Sequence, residues 1–256
     1  LGFEADPGCL HRETIGLCQT RTPMPLIQQL SVEAGLKAEQ DLLASVCAGE
    51  LDAGVLFWQP TDCALVMPRR LSRLSGFEQA SLELADSGWP ILLRETGGEP
   101  VPQSASTINI ALVYAPARAE GDHGRIETAY RRLCEPICDL LTELGGEASL
   151  GEIEGAFCDG RFNVNLNARK LVGTAQRWRQ SQGGQRPVGL VHGALLVENE
   201  RDSMVAAVNR FNQLCDLDQR CRAESHIALH EVFGAPDFFE RLSASYQLIL
   251  APLLKP

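Results

Sequence analysis

A thiol and an amine stand close together in the segment that runs from Cys158-Asp159-Gly160-Arg161-Phe162 to Arg169-Lys170-Leu171-Val172-Gly173-Thr174-Ala175-Gln176. A cysteine beside a glycine turn, with Arg161 and Lys170 nearby, sits where positive charge favours thiolate over thiol. A thiolate is a nucleophile able to carry an acyl group as a thioester. The competing reading of Cys158 is a small buried hydrophobe, which most of the nine cysteines must be. Gly173, inside an apparent strand, marks a close approach of ligand or backbone. Strand alternation would put Lys170, Val172 and Thr174 on one face and Leu171 and Gly173 on the other. A second candidate is Arg94-Glu95-Thr96-Gly97-Gly98, where paired glycines let backbone N–H groups form a nest for an anion or a carbonyl. His226 and His230 lie four apart on a possible helix, at a metal-ligand spacing. No third ligand is evident, so structural or surface roles are expected and no metal site.

These groups need rigid elements under them. Helical periodicity covers residues 33–48, with Leu36, Leu42, Leu43 and Val46 on one side. Residues 54–58 and 63–67 read as two strands joined through Gln59-Pro60-Thr61-Asp62, which predicts a hairpin. A helix is expected over 77–85 and strands over 89–94 and 107–114. A long helix over 124–144 should be bent or interrupted at Pro136. The alternation Phe162-Asn163-Val164-Asn165-Leu166 predicts a half-buried strand. Asn167-Ala168-Arg169 is its turn and 170–176 the returning strand. A further strand over 188–197 and helices over 203–214 and 237–250 complete the chain. Hairpins outnumber strand–helix–strand units, which favours an α+β fold with a largely antiparallel or mixed sheet flanked by helices. Residues 1–30, with Pro7, Gly8, Pro23 and Pro25, read as an irregular lead-in before a single domain over 31–256.

The formal net charge of −10 argues against general nucleic-acid binding. No apolar run approaches the ~20 residues that span a bilayer, and the N-terminus shows no secretion signal. The odd, irregularly spaced cysteines read as reduced cytoplasmic thiols. Residues 160–197 contain no Asp or Glu but carry Arg161, Arg169, Lys170, Arg177, Arg179 and Arg186. Such a stretch suits an acidic partner or an anionic ligand, unless the clustering is chance.

Arg94…Gly97-Gly98, then Lys170-Leu171-Val172-Gly173-Thr174-Ala175, then Val191-His192-Gly193-Ala194-Leu195-Leu196 come in the order and rough spacing of the lipoate-protein ligase A and octanoyltransferase family. Its members show an Arg-x-x-Gly-Gly-Gly loop, a Lys-x-x-Gly-x-Ala strand and a His-Gly-x-Leu-Leu strand. Glu39-Gln40-Asp41-Leu42-Leu43 resembles the family's acidic-Leu-Leu helix. The likeness covers roughly residues 35–215. It implies the biotin/lipoate protein ligase fold, which is related to class II synthetases. It also implies Cys158 and Lys170 as catalytic residues, with Arg94, Gly97, Gly98, Gly173, Thr174, His192 and Gly193 as substrate-binding residues. The spacing of Cys158 to Lys170 is similar to the branch that moves octanoyl or lipoyl groups from the glycine cleavage H protein onto other lipoyl domains. That branch shows Cys-Pro-Gly where this chain has Cys158-Asp159-Gly160.

The implied partners are therefore lipoyl domains of 2-oxoacid dehydrogenase subunits, the glycine cleavage H protein and an acyl carrier protein, with neither nucleic acid nor membrane. The implied activity is acyl transfer through a Cys158 thioester with no cofactor beyond the transferred lipoate or octanoate. Two alternatives stay open: an ATP-dependent ligase, and a non-catalytic acyl-binding module of the same fold. Glu99 replaces the third glycine and Gln103 falls about where ligases have histidine, and Glu99 counts against nucleotide phosphates in this loop. Only about 60 residues follow the His192 strand, which implies no extra ligase C-terminal domain.

Overall fold

The computed structural model describes residues 26–116, 124–184, 186–234 and 236–254. Ile27–Leu30, within the lead-in expected to be irregular, forms strand β1; residues 1–25 lie outside the described residues. Helix α1 (Val32–Ala48) starts where the Ser31 hydroxyl accepts the Ala34 N–H, and stops at Gly49 in the left-handed conformation. Its buried stripe is Val32, Gly35, Glu39, Leu43 and Val46. Gly35 is required there, since a Cβ would fall 2.3 Å from the Trp58 ring.

β2 (Ala53–Pro60) and β3 (Ala64–Pro68) do not pair with each other, so the expected hairpin is corrected. Their connecting loop is tied to the entry of α1 instead. The Thr61 N–H donates to the Leu30 carbonyl, and the Asp62 carboxylate accepts the Val32 N–H at 2.7 Å. These bonds turn the chain out of one sheet and into another. The following elements are α2 (Phe77–Asp86), β4 (Ile91–Arg94), β5 (Val101–Gln103), β6 (Thr107–Tyr114) and α3 (Arg125–Glu143). After them come β7 (Ala148–Leu150), β8 (Val164–Leu166), β9 (Arg169–Gln180), β10 (Pro187–Leu196), α4 (Arg201–Leu214) and α5 (Phe238–Leu250). α3 contains Pro136 without a break in the helix.

The large sheet runs β1-β2-β6-β10-β9-β8-β7, and a small sheet runs β4-β3-β5. Among the described strands, β1–β2 and β3–β4 pair in parallel and the other pairs are antiparallel. This is the α+β architecture expected. On one face of the large sheet α3 and α5 bury Ile110, Leu112, Val172, Val191 and Leu195, and the Tyr246 hydroxyl donates to the Leu133 carbonyl across the two helices. On the other face lie α1 and the small sheet, with Trp58, Ala111, Val113 and Leu190 between them. α2 and α4 back the small sheet around Met67, Leu84, Met204 and Phe211. The β8–β9 connection is a two-residue turn in which Asn167 and Ala168 have φ of 50° and 58°, the left-handed pair that matches strand twist.

Candidate functional site

The small sheet roofs the centre of the large one, and the sequence candidates meet in the gap. β8 and β9 pair with a register shift: Val164 opposes Val172 but Asn165 opposes Lys170, which leaves Leu171 as an extra residue. This bulge breaks the alternation. Lys170 therefore shares its face with Gly173, not with Val172 as simple alternation predicts. A Cβ on Gly173 would sit 3.3 Å from the Lys170 Nζ.

Lys170 does not point its ammonium at the sulfur. Its Nζ donates to the carbonyls of Phe157 at 2.5 Å and Cys158 at 2.7 Å. Burial pushes this amine down from the usual lysine range, and the nearby Cys158 and Asp159 pull it partly back. The two bonds hold a turn in which Cys158 has φ 48°, a strained value for a non-glycine residue. Asp159 braces the same turn, its Oδ1 accepting from the Ile153 and Gly160 N–H groups and the Asn163 amide.

The Cys158 sulfur meets the loop after β4. The Glu99 N–H donates to Sγ at 3.3 Å, a backbone contact of the kind that supports a thiolate. Gly98, at φ +99°, leaves the space: a Cβ there would lie 2.9 Å from Sγ and 3.0 Å from the Arg94 guanidinium. Arg94 fixes the loop from beneath, donating to the carbonyls of Val66 (2.7 Å), Gly97 (2.8 Å) and Glu99 (2.8 Å). Burial pushes Arg94 below its usual range, and Cys158 and Glu39 offset this in part. From outside, Arg69 and Arg177 both bond Glu95, while Arg70 donates to the Gly98 carbonyl and the Glu99 carboxylate. Part of the basic surplus counted along residues 160–197 is therefore cancelled in space by acids from another segment.

His192 and Gly193 occupy β10 beside this loop. The buried Glu39 carboxylate accepts the Trp58 indole N–H at 3.0 Å and bonds the His192 Nδ1 at 2.7 Å, while His192 Nε2 meets the Thr96 hydroxyl at 3.1 Å. Glu39 thus fixes the ring so that Nε2 is the accepting nitrogen. His192 lines the cavity, whereas Gly193 also faces the other side, where an added Cβ would fall 2.9 Å from Val172. Thr174 donates to the Phe162 carbonyl at 2.9 Å.

Cys158 is in the wall between two cavities. One holds about 410 Å³ of empty space and is lined by Glu39, Arg94, Gln103, Asn109, Gly173 and His192 among others. The other, about 510 Å³, lies beyond Gly97, Gly98, Tyr130 and Phe162, the last two rings stacked at 4.6 Å. Sequence reasoning missed Thr96, Asn109 and the Glu99 N–H. A signal for Glu39 existed: it is a charge on the apolar stripe of α1.

His226 and His230 are not on one helix. His226 is extended and buried, stacked on Phe157 at 4.1 Å. Its Nε2 accepts the Phe157 N–H at 3.2 Å and its Nδ1 faces the Arg222 carbonyl at 3.0 Å, so it supports the Cys158 turn from below as a neutral ring. His230 pairs with Glu198 at the surface. Among the described residues no cluster of three metal-binding side chains exists.

Burial, aided by Lys170, lowers the His226 pKa to about 4. Unfolded histidine titrates near 6.5, so between these values the unfolded chain takes up a proton that the folded chain refuses. Stability should therefore fall as pH drops from about 6.5 to about 4, by roughly 3 kcal/mol in total. Urea unfolding of wild type and His226→Asn across this range checks it; an unchanged slope in the variant would show that other groups carry the effect.

Residues 31–240 match the lipoyl protein ligase A/B catalytic domain. The chain belongs to this family. It is 33% identical over 213 residues to an uncharacterized protein of Cupriavidus necator, covering 79% of this chain and 83% of that one. It is also 33% identical over 151 residues to the octanoyl-GcvH:protein N-octanoyltransferase of Kyrpidia tusciae, covering 57% of this chain and 51% of the relative. The chain thus spans about half the length of that transferase. Among solved structures, lipoate-protein ligase A bound with ATP superposes with a TM-score of 0.64 at 16% identity, over 88% of this chain and 85% of that one. A Thermoplasma acidophilum putative lipoate protein ligase with bound lipoic acid gives 0.58 at 16% identity, again over 88% and 85%. These likenesses establish the family's fold.

Proposed function

We propose that the protein is an acyltransferase that moves a medium-chain acyl group, such as octanoyl or lipoyl, onto lysines of lipoyl-domain proteins through a Cys158 thioester. The observation that carries this reading is the setting of Cys158: a strained turn held by Lys170, the Glu99 N–H on the sulfur, and a cavity on each side. The thiolate attacks the carbonyl of an acyl-lysine amide on a donor such as the glycine cleavage H protein, and the donor amine leaves with a proton. The acceptor amine of a second lipoyl domain then attacks the thioester, loses a proton and releases the thiolate. Two hydrogens of the Lys170 ammonium are committed to carbonyls, which leaves one for the reacting carbonyl oxygen.

Relatives named for octanoyl transfer from GcvH, and a Listeria monocytogenes relative named as a lipoyl-GcvH:protein N-lipoyltransferase, support this choice of donor. Three arginines around the Gly97-Gly98 loop are engaged by Glu95 and Glu99, which favours transfer without nucleotide over an ATP-dependent ligase. The chemistry needs a reduced Cys158, as a cytoplasmic setting supplies, and among the described residues no helix is long and apolar enough to cross a membrane.

The test is mass spectrometry of wild type and Cys158→Ala after incubation with octanoyl-H protein. Wild type should gain one hydroxylamine-sensitive octanoyl group on Cys158 and the variant none. An adduct that persists in the variant would remove Cys158 as the nucleophile.

A further inference from the structure

The cavity beside Cys158 has a measurable reach. Its floor crosses the large sheet in one row, Gly173 on β9, Ala194 on β10 and Asn109 on β6, which are paired in register. Two strand spacings separate Gly173 from Asn109, about 9.5 Å. On the next strand Trp58, buried and paired with Asn109, fills the row. An eight-carbon chain, at about 1.25 Å per extended bond, spans about 9 Å. Cys158 lines the same cavity as the three residues of the row, so an acyl group joined to Cys158 and laid along it turns its far end toward Asn109.

That far end is polar. Gln103, from the small sheet above, and Asn109 are 6% and 4% exposed, and the Asn109 amide donates to the Gln103 Oε1 at 2.8 Å. The Thr107 hydroxyl lies 3.0 Å from that oxygen and shares its one hydrogen between it and the Ser104 carbonyl, at 2.8 Å. The other end of each amide has no protein partner among the described residues, yet neither atom is sealed from space. Both side chains line the cavity. One donor, Gln103 Nε2, and one acceptor, Asn109 Oδ1, thus remain for a ligand. Turning both amides over exchanges the two roles and still leaves one of each. The other polar groups of the cavity, Glu39, Arg94 and His192, are bonded within the protein.

We infer that the acyl group this site is built for carries a hydrogen-bonding group, such as a hydroxyl, at its far end. A hydroxyl there accepts from one amide and donates to the other. A plain methyl terminus displaces water from both amides and replaces none of their bonds, the situation in which a polar site rejects an apolar analogue. This substrate class rests on the acyltransferase reading, and Gln103 and Asn109 become its specificity-determining residues.

Two measurements on the intact protein separate the claims. The first is calorimetric binding of free octanoate, 7-hydroxyoctanoate and 8-hydroxyoctanoate. The second is Cys158 acylation by the N-acetylcysteamine thioesters of the same acids. Wild type should bind, and be acylated by, one hydroxylated chain about 10-fold better than the plain chain, the scale of one matched hydrogen-bonding group. In Gln103→Leu/Asn109→Leu the preference should reverse; because the readout is a ratio, a general loss of folding does not imitate it. Equal or better use of octanoyl by wild type would overturn the polar-tail assignment and leave the transferase reading intact. Preferential binding of a hydroxy acid without any adduct would do the opposite.

Discussion

Lys170→Met is expected to slow acyl-enzyme formation by about 10³-fold, combining misplacement of the nucleophile with loss of a cation at the reacting carbonyl. The variant removes the two hydrogen bonds that hold the carbonyls of Phe157 and Cys158. Without them the turn can leave φ 48° at Cys158, and the sulfur moves off the Glu99 N–H. Stability should change far less. Two buried carbonyls lose a donor, at about 1–3 kcal/mol each, but an expensive buried ammonium also disappears. Lys170→Arg should not rescue, since the guanidinium is larger than the fully buried space and its planar fork cannot converge on two adjacent carbonyls in the same way. Rapid-quench mass spectrometry of the octanoyl adduct, beside a thermal melt, checks this. Adduct formation at the wild-type rate would make Lys170 a purely structural residue.

The same residue shows how far the sequence could be read. The order of the loop, the β9 lysine and the β10 histidine carried the fold and family, because each motif reflects a local backbone need: a glycine, Gly98, where a sulfur and a guanidinium crowd, small residues where a cavity crosses the sheet. The hydrophobic patterns located most helices and central strands for the same reason. What failed was non-local. The β2–β3 hairpin was a fair reading of Gln59-Pro60-Thr61-Asp62, but Asp62 bonds the start of α1, some 30 residues earlier. The alternation of β9 failed because the bulge at Leu171 depends on pairing with β8. Cys158 and Lys170 could be paired by spacing, yet the contact is between the ammonium and the carbonyl, not the sulfur, and only the folded turn reveals that. The polar end of the cavity combines Gln103 and Asn109 from two different sheets, a juxtaposition that no motif encodes.

Glu39→Ala is expected to be the most destabilising single change in the site, by about 3–5 kcal/mol. Glu39 is 1% exposed and accepts from the buried Trp58 indole and from the partly buried His192 ring. Alanine orphans both and opens a void between α1 and the large sheet, and nothing nearby can replace the carboxylate. At about 2–4 °C per kcal/mol for a chain of this length, the melting midpoint should fall by about 10 °C or more. Glu39→Gln should cost less, because its oxygen still accepts one donor while its NH₂ confronts the other. The effect should also reach the loop: His192 without Glu39 loses its fixed tautomer, and with it the accepting nitrogen that meets Thr96. A double replacement, Glu39→Leu with His192→Phe, separates these contributions. If the loss in Glu39→Ala comes from stranded polar groups, the apolar pair should recover most of the His192 share and leave only the orphaned Trp58 N–H. Chemical unfolding of the four proteins measures the coupling. A loss under about 1 kcal/mol in Glu39→Ala would mean that water enters and replaces the carboxylate, and that the dyad is not what locks α1 to the site.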